Sequence, residues 1–310
     1  MKIFSGRSNK ILAKQIAAKL DVKIGKSTFR QFADGELWFK YEENIRGQDV
    51  YIIQSTNPPA ENILELVLMI DAAVRASADR VTAVIPYYGY ARQDRKDQPR
   101  VPISARAIMD ILASVGAKRV LAMDLHSAQI QGFTHLPFDH LYARKIILKY
   151  LKNMQPSLKD IVILAPDVGR APMAQSYAKH LGVGFALIDK RRTEPNKAKV
   201  LHMIGNLESK NVIILDDMID TAGSMINASE TAIENGAKSV ISVATHGLFS
   251  DDAINRIMKS SIEKVIVANT VQLPKEKQFK KLEIISVAPL FANAIKNIHS
   301  GESVSALFNV

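Results

Sequence analysis

The sequence predicts an α/β fold in two domains, each a mainly parallel sheet flanked by helices. The chain has 310 residues, more than one hydrophobic core usually serves, so two domains of about 150 residues are expected. Short runs of aliphatic and β-branched residues indicate strands. These runs are apolar throughout rather than alternating, which is typical of a sheet covered on both faces. Segments with helical spacing separate them, and this alternation favours a parallel sheet.

The predicted elements alternate along the whole chain. The strands are predicted at residues 50–53, 81–85, 120–123, 161–164, 212–215, 240–243 and 265–268. The helices are predicted at residues 62–76, 103–115, 171–181 and 224–234. An aspartate follows a predicted strand in each half, at Asp124 and at Asp216, which indicates two similar domains. We place these domains at residues 1–145 and 146–310, and expect the last residues to pack back on the N-terminal domain.

The composition restricts the partners of the chain. The net charge of +10 would suit nucleic acid or a small polyanion. Lysines and arginines are spread along the chain instead of clustering with aromatic residues, so we expect a phosphate-rich small substrate and no nucleic acid. No apolar run has the length of a membrane span or a signal peptide, so no membrane partner is expected. Cysteine is absent, which fits a cytoplasmic protein.

The segment 212–224 is the strongest candidate for a binding site. After a predicted strand it contains three acids and a run of small residues, namely Asp216, Asp217, Asp220, Thr221, Ala222, Gly223 and Ser224. Ligands bind at the carboxyl ends of parallel strands, and small residues before a helix N-terminus favour an anion such as phosphate. Thr221 and Ser224 add hydroxyl donors. Asp216 and Asp217 would repel phosphate, so we expect them to face sugar hydroxyls. The alternative is an ordinary helix cap, with Asp220 or Thr221 at the N-cap.

This segment resembles the phosphoribosyl-diphosphate binding motif of the type I phosphoribosyltransferase fold. Further segments resemble the ribose-phosphate diphosphokinase family of the bacterial class I type, and the match extends from residue 4 to residue 308. They are FADGE at 32–36, YARQDRK at 90–96, MDLH at 123–126 with QIQGF at 129–133, PDVG at 166–169 and DKRR at 189–192. The resemblance implies two similar domains of that fold. It also implies transfer of the β,γ-diphosphoryl group of ATP to the 1-hydroxyl of ribose 5-phosphate, for nucleotide biosynthesis.

The resemblance assigns ATP-binding roles to the N-terminal half. Phe32 matches the ring that stacks on adenine, and Asp34, Gly35 and Glu36 match a stretch that contacts adenosine in a neighbouring subunit's site. The alternative for this stretch is an ordinary tight turn, since Asp-Gly is a turn dipeptide. The two interpretations are compatible.

A second ATP element is the pair Arg92 and Gln93, which matches residues that hold the ATP phosphates. Arginine suits this role because its guanidinium binds phosphate through two parallel hydrogen bonds. The alternative is a solvated charged loop. Residues 95–102 correspond to a mobile flap, but residues 97–100 depart from the charge pattern of many members.

The resemblance implies Mg²⁺ as cofactor, with His126 and Asp167 contributing to its site. Magnesium prefers oxygen ligands and keeps waters, so the histidine would act directly or through water. A packing or hydrogen-bonding role is the alternative for His126. Asp167 belongs to the segment that matches the pyrophosphate loop. Members commonly have a glycine where this chain has Arg170, so backbone contacts there are expected to differ.

Lys190 and Arg192 match two cations placed on the transferring phosphates, and Arg192 also matches a contact to ribose 5-phosphate. Transfer of a phosphoryl-type group requires stabilisation of negative charge on the equatorial oxygens, which these cations would supply. The alternative is a basic cluster on the surface.

Two other classes of protein share parts of this pattern. A phosphoribosyltransferase would lack the ATP elements, and a non-catalytic relative would have lost Lys190, Arg192 or the acids; this chain has all of them. The resemblance also implies a homo-oligomer, typically a hexamer, activated by inorganic phosphate and inhibited by ADP.

Overall fold

The computed structural model describes residues 1–154, 160–191 and 200–307, with the backbone alone described at residues 190, 191, 200 and 201. These residues form two compact units. The N-terminal unit consists of residues 1–143, 270–272 and 286–307. The C-terminal unit consists of residues 144–269 and 273–285.

Strands and helices alternate in both units, as the sequence predicts. Up to residue 143 the elements are β1 (Lys2–Ser5), α1 (Lys10–Lys19), β2 (Ser27–Gln31), β3 (Leu37–Tyr41), β4 (Asp49–Ile53), α2 (Glu61–Arg75), β5 (Arg80–Ile85), α3 (Ser104–Ser114), β6 (Arg119–Met123) and β7 (Phe138–Leu141). From residue 144 they are α4 (Arg144–Met154), β8 (Ile161–Ala165), α5 (Ala171–Leu181), β9 (Gly184–Arg191), β10 (Val200–Ile204), β11 (Asn211–Ile219), α6 (Gly223–Glu234), β12 (Ser239–Gly247), α7 (Ala253–Lys259), β13 (Ile262–Ala268), β14 (Leu282–Ile285) and α8 (Ala288–Ser300).

The N-terminal unit is built on a parallel sheet in the order β1-β4-β5-β6-β7. Every residue of β4 is buried, because helices cover the sheet. Helix α2 buries Leu66, Met69, Ile70 and Ala73 in the core cluster of this unit. This three-and-four spacing places the four side chains on one face of a helix. The hairpin of β2 and β3 is a separate antiparallel pair.

The C-terminal unit has a larger sheet in the order β10-β9-β8-β11-β12-β13-β14. All neighbouring strands are parallel except β9 and β10, which are antiparallel. Its core is formed by the apolar side chains of the central strands together with α6 and α7. The carboxyl ends of β8, β9 and β11 therefore lie next to one another along one edge of the sheet.

The predicted fold class is confirmed, and the predicted strands and helices all correspond to observed elements. Two strands extend four residues beyond their predicted ends: β12 continues from Val243 to Gly247, and β11 continues from Leu215 to Ile219. The two extensions pair with each other, since Asp216 and Met218 of β11 lie opposite Ala244 and His246 of β12. In the described residues, no helix combines the length and the apolar character needed to cross a bilayer.

A buried ion network ties α8 to the sheet of the N-terminal unit. Asp49 accepts hydrogen bonds from Arg80 Nε at 2.9 Å and from Tyr51 Oη at 2.9 Å. It also contacts His299 Nδ1, on α8, at 2.8 Å. Burial alone would raise the pKa of Asp49, but the hydrogen bonds from Arg80, His299 and Tyr51 outweigh it, so the net pKa is lowered.

We expect Asp49→Asn to destabilise the N-terminal unit by about 2 kcal/mol at pH 7, because Arg80 then loses a buried ionic partner. A lowered pKa means that ionised Asp49 stabilises the fold above about pH 4, and that this contribution is lost as the pH falls further. Urea denaturation of wild type and variant at pH 7 and at pH 3 measures both effects. The difference between wild type and variant should be smaller at the lower pH.

The matched control is Asp71→Asn, which removes an exposed carboxylate that pairs with Arg75 at i,i+4 on α2. Such surface pairs contribute about 0.5 kcal/mol or less. Equal effects of the two substitutions would contradict a stabilising role for the Asp49 network.

Candidate active site

The topology of the C-terminal sheet brings three predicted site segments to one edge. Ile214 of β11 is paired with Leu164 of β8, and Ala165 of β8 is paired with Leu187 of β9. Asp216 lies two residues after Ile214, and Asp167 lies two residues after Ala165. Both acids are therefore at the carboxyl ends of neighbouring strands. The edge is the one at which parallel sheets bind ligands.

The two consecutive acids lie on β11 itself rather than in a loop. Asp217 is 4% exposed, and the side chain of Asp216 is 13% exposed. The backbone N–H of Asp217 donates to Asp216 Oδ1 at 2.8 Å. Asp216 is thus the more accessible of the pair.

The turn after β11 has a conformation that suits an anion site. Ala222 occupies the N-cap of α6 in the left-handed region, with φ of 62°. The alternative interpretation, a side-chain cap at Asp220 or Thr221, is therefore wrong, and no side chain caps this helix. The first N–H groups of a helix have no intrahelical partner, so here they can bind a ligand.

Space is available beside this helix start. A Cβ added to Gly223 would meet no atom within 4 Å, and Thr221 and Ser224 are exposed. The turn is anchored from behind, because the backbone N–H of Ser250 donates to the carbonyl of Asp220 at 3.0 Å. A phosphate-binding turn requires a backbone that is held in place and has free space beside its N–H groups, and this turn has both.

Arg170 is a residue of this edge whose side-chain contacts were not predicted from the sequence. Its Nε lies 2.9 Å from Asp216 Oδ1, and its Nη2 lies 3.1 Å from Asp217 Oδ1. From the sequence we expected Arg170 to alter only backbone contacts. These contacts could be predicted only from the order of strands in the sheet, because that order places the carboxyl end of β8 beside the carboxyl end of β11.

Burial and charge act together on Asp216. Burial is the largest cause that raises its pKa well above the ordinary value, followed by the hydrogen bond with Asp217 and the negative charge of Asp217. The positive charge of Arg170 acts in the opposite direction. Two buried carboxylates side by side repel each other, and the guanidinium of Arg170 offsets part of this repulsion.

The predicted metal residue Asp167 has a structural role at the end of β8. Its Oδ1 accepts from the backbone N–H of Arg170 at 3.1 Å, and it caps the 3-10 turn Val168–Arg170. A carboxylate has a second oxygen that can accept a water or bind a cation. The cap therefore fixes the carboxylate without excluding a metal ion.

The predicted catalytic cations are only partly described. Lys190 lies near the carboxyl end of β9, where its backbone is paired with Leu201 of β10. Arg192 lies outside the described residues. Their roles on the transferring phosphates stay predictions.

In the N-terminal unit, Arg92 and Gln93 line a cleft of about 390 Å³ together with Arg95 and Asp97. Gln93 is held in place, because its backbone N–H donates to the carbonyl of Tyr90 at 3.0 Å and its side chain accepts from Ser104 Oγ. Arg92 is exposed at this cleft. An exposed guanidinium beside an anchored glutamine suits a polyphosphate.

The segment from Phe32 to Glu36 is the tip of the β2–β3 hairpin. Its turn is closed by hydrogen bonds from Phe32 N to Glu36 O at 2.8 Å and from Glu36 N to Asp34 Oδ1 at 3.1 Å. Gly35 has a φ of 99°, so the tight-turn interpretation describes its conformation. Phe32 is 55% exposed, which leaves its ring face accessible for stacking.

His126 is half-buried after β6, in the N-terminal unit. Among the residues that the structure describes, no three His, Cys, Asp or Glu side chains group into a metal-binding cluster. Magnesium is commonly held by one or two carboxylates together with substrate phosphates. Asp167 supplies such a carboxylate, so this residue fits a magnesium site.

The strand, turn and helix at the end of β11 are typical of the class of proteins that bind a phosphorylated sugar. Comparisons with known proteins identify the family. Residues 1–116 match the model of the N-terminal domain of ribose phosphate pyrophosphokinase, and residues 192–309 match that of the phosphoribosyl synthetase-associated domain. The chain belongs to the ribose-phosphate pyrophosphokinase family, and the resemblance found in the sequence is confirmed.

Individual relatives cover the whole chain. The ribose-phosphate pyrophosphokinase of Chlorobaculum tepidum is 49% identical over 100% of this chain and 95% of its own length. The corresponding protein of Bacillus subtilis is 47% identical over 100% and 97%. The crystal structure of phosphoribosylpyrophosphate synthetase from Mycobacterium smegmatis has a TM-score of 0.91 at 40% identity, and covers 97% of this chain and 99% of that one.

Proposed function

We propose that this chain catalyses the reaction of its family, in which ATP and ribose 5-phosphate give AMP and 5-phosphoribosyl 1-diphosphate. The observation that carries the proposal is the open helix start after β11, next to the paired acids. This edge offers a phosphate site and hydroxyl acceptors together, as a phosphorylated sugar requires. Homology over the full chain supports the activity that the sequence predicts.

The sugar is bound by the C-terminal unit. Residues 221–224 hold the 5-phosphate through N–H groups at the start of α6 and through the hydroxyls of Thr221 and Ser224. Asp216 and Asp220 accept hydrogen bonds from the sugar hydroxyls. Asp217 is buried, so its role is to support the site through Arg170 rather than to contact the sugar.

ATP is bound by residues of the N-terminal unit. Phe32, at the hairpin tip, stacks on the adenine, and Asp34 to Glu36 contact the adenosine. Arg92 and Gln93 hold the phosphates at their cleft. The exposure of Phe32 and Arg92 supports these roles.

We propose a role in binding Mg²⁺ for Asp167, in the C-terminal unit, and separately for His126, in the N-terminal unit. When bound, the ion neutralises negative charge on the phosphate oxygens. Asp167 would hold it through a carboxylate that the cap hydrogen bond from Arg170 N already orients. His126 would act directly or through a water.

The transfer step needs positioning and charge stabilisation more than acid–base chemistry. The anomeric oxygen of the sugar attacks the β-phosphorus of ATP, its proton leaves to solvent, and the bond from the β-phosphorus to the oxygen that AMP retains breaks. Lys190 and Arg192 stabilise the charge on the transferring group. No general base is required, because alignment and electrostatics supply most of the acceleration in such reactions.

The activity is tested with ATP labelled at the γ-phosphate, ribose 5-phosphate and Mg²⁺. We expect AMP to form together with a labelled sugar product in equal amounts. The control contains ATP alone. Formation of ADP in place of AMP would indicate transfer of a single phosphoryl group and would overturn the proposal.

The remaining family properties belong to the same proposal. We infer a homo-oligomer, typically a hexamer, in the cytoplasm, serving nucleotide biosynthesis without a nucleic acid or membrane partner. Activation by phosphate and inhibition by ADP follow from the same resemblance. Sedimentation velocity measures the assembly.

A further inference from the structure

Arg170 bridges two carboxylates at the edge where the sugar site lies. Its Nε contacts Asp216 Oδ1 at 2.9 Å and its Nη2 contacts Asp217 Oδ1 at 3.1 Å. The arginine side chain is 18% exposed, so water screens these contacts weakly. A guanidinium fork can hold two separate oxygens at once, whereas an ammonium group is a single point charge.

The backbone directs this side chain toward β11. Arg170 ends a 3-10 turn that Asp167 caps, and its own N–H donates to the capping carboxylate at 3.1 Å. The turn follows β8, which is the parallel neighbour of β11. The backbone of Arg170 is therefore held beside β11 independently of the contacts that its side chain makes with the acids.

The contacts constrain the carboxyl group of Asp216. Oδ1 of Asp216 is bound by Arg170 Nε and also by the backbone N–H of Asp217 at 2.8 Å. The side chain of Asp216 is the more exposed of the two acids, at 13% against 6% for Asp217. With Oδ1 fixed by two donors, the carboxylate cannot rotate freely, so Oδ2 keeps one direction.

We propose that Arg170 is a positioning residue of the sugar site. Its contact with Asp217 holds the guanidinium in place, and the guanidinium in turn orients Asp216 toward the 2-hydroxyl of the sugar. The site therefore prefers ribose 5-phosphate to 2-deoxyribose 5-phosphate. This inference rests on the proposed function, since it assumes that ribose 5-phosphate binds at this edge. Arg170 does not contact the sugar in this proposal. Its effect passes through Asp216.

The test measures binding of the two sugar phosphates by calorimetry without ATP. Wild type is expected to bind ribose 5-phosphate at least about tenfold more tightly than the 2-deoxy analogue, the size of one hydrogen bond to a charged group. In Arg170→Met the affinity for ribose 5-phosphate falls, the affinity for the analogue changes little, and the ratio approaches one. Arg170→Lys, which keeps the charge but not the fork, gives an intermediate ratio.

Arg256→Met is the matched control, because it removes an exposed arginine from α7 of the same unit and should keep the wild-type ratio. The inference is overturned if the Arg170 variants weaken both sugars by the same factor, or if wild type binds both equally. Failure of wild type to bind either sugar would instead overturn the proposed function. If Arg170→Met does not fold, as circular dichroism would show, the ratio in Arg170→Lys decides.

Discussion

Replacing Lys190 by alanine should lower kcat by roughly 10²–10³-fold, while the affinity for ribose 5-phosphate changes little. The residue lies near the carboxyl end of β9. That end is adjacent to the carboxyl end of β8, and Asp167 follows β8 by two residues, so Lys190 belongs to the edge that we assign to catalysis. A cation that interacts with charge developing during the transfer stabilises the transition state, and it contributes little to the affinity for the sugar.

Steady-state kinetics with both substrates, together with direct binding of ribose 5-phosphate, separates these effects. Lys179→Ala is the control, since it removes an exposed lysine from α5 of the same unit and should leave kcat unchanged. An increase in KM for the sugar with unchanged kcat would show that Lys190 binds substrate and does not stabilise the transfer step.

Strand and helix patterns were predictable because burial on both sheet faces leaves an apolar run in the sequence. Residues 171–181 were predicted to be helical and coincide with α5. Two strands that escaped prediction, β2 and β3, lack such a run. The residues of β2 and β3 are half-buried or exposed, and each strand contains a charged residue. The only local indication of this hairpin is the Asp34-Gly35 turn dipeptide.

The end of β11 shows why the limits of a strand are hard to place from sequence. Asp216 and Asp217 look like the start of a loop, because buried strands seldom contain two consecutive acids. They continue the strand because Arg170 supplies a cation and β12 supplies a parallel neighbour. Both partners are distant in sequence, so no local pattern could reveal them.

The conformation at the start of α6 could not be predicted from sequence for a related reason. Side-chain capping by Asp220 or Thr221 was the expected alternative, since both residue types are common caps. The chain instead places Ala222 at that position with a positive φ, which costs roughly 1–3 kcal/mol in a residue other than glycine. Such strain is maintained where the backbone must present its N–H groups to a ligand, which fits the proposed phosphate site.

Gly223→Ala should leave the fold intact and raise the KM for ribose 5-phosphate by about 10²-fold, because a small displacement of a bound group has effects of this size. The protein itself offers no obstacle, since an added Cβ meets no atom within 4 Å. Gly223 is the first residue of α6 and has no left-handed φ, so alanine is compatible with its backbone. The space that the methyl group would fill is the space that we assign to the 5-phosphate.

Thermal denaturation tests whether Gly223→Ala keeps the fold, and steady-state kinetics tests the change in KM. The control is Asn227→Ala, at an exposed position further along α6. The melting temperature of Gly223→Ala is expected to lie within a few degrees of wild type. If Gly223→Ala kept the wild-type KM, the phosphate could not lie against the start of α6. A larger side chain in Gly223→Val should then be tolerated as well, and the sugar site would have to be sought elsewhere on the C-terminal unit. If both substitutions raise KM in order of side-chain size while the fold is retained, the open space beside Gly223 is the phosphate position.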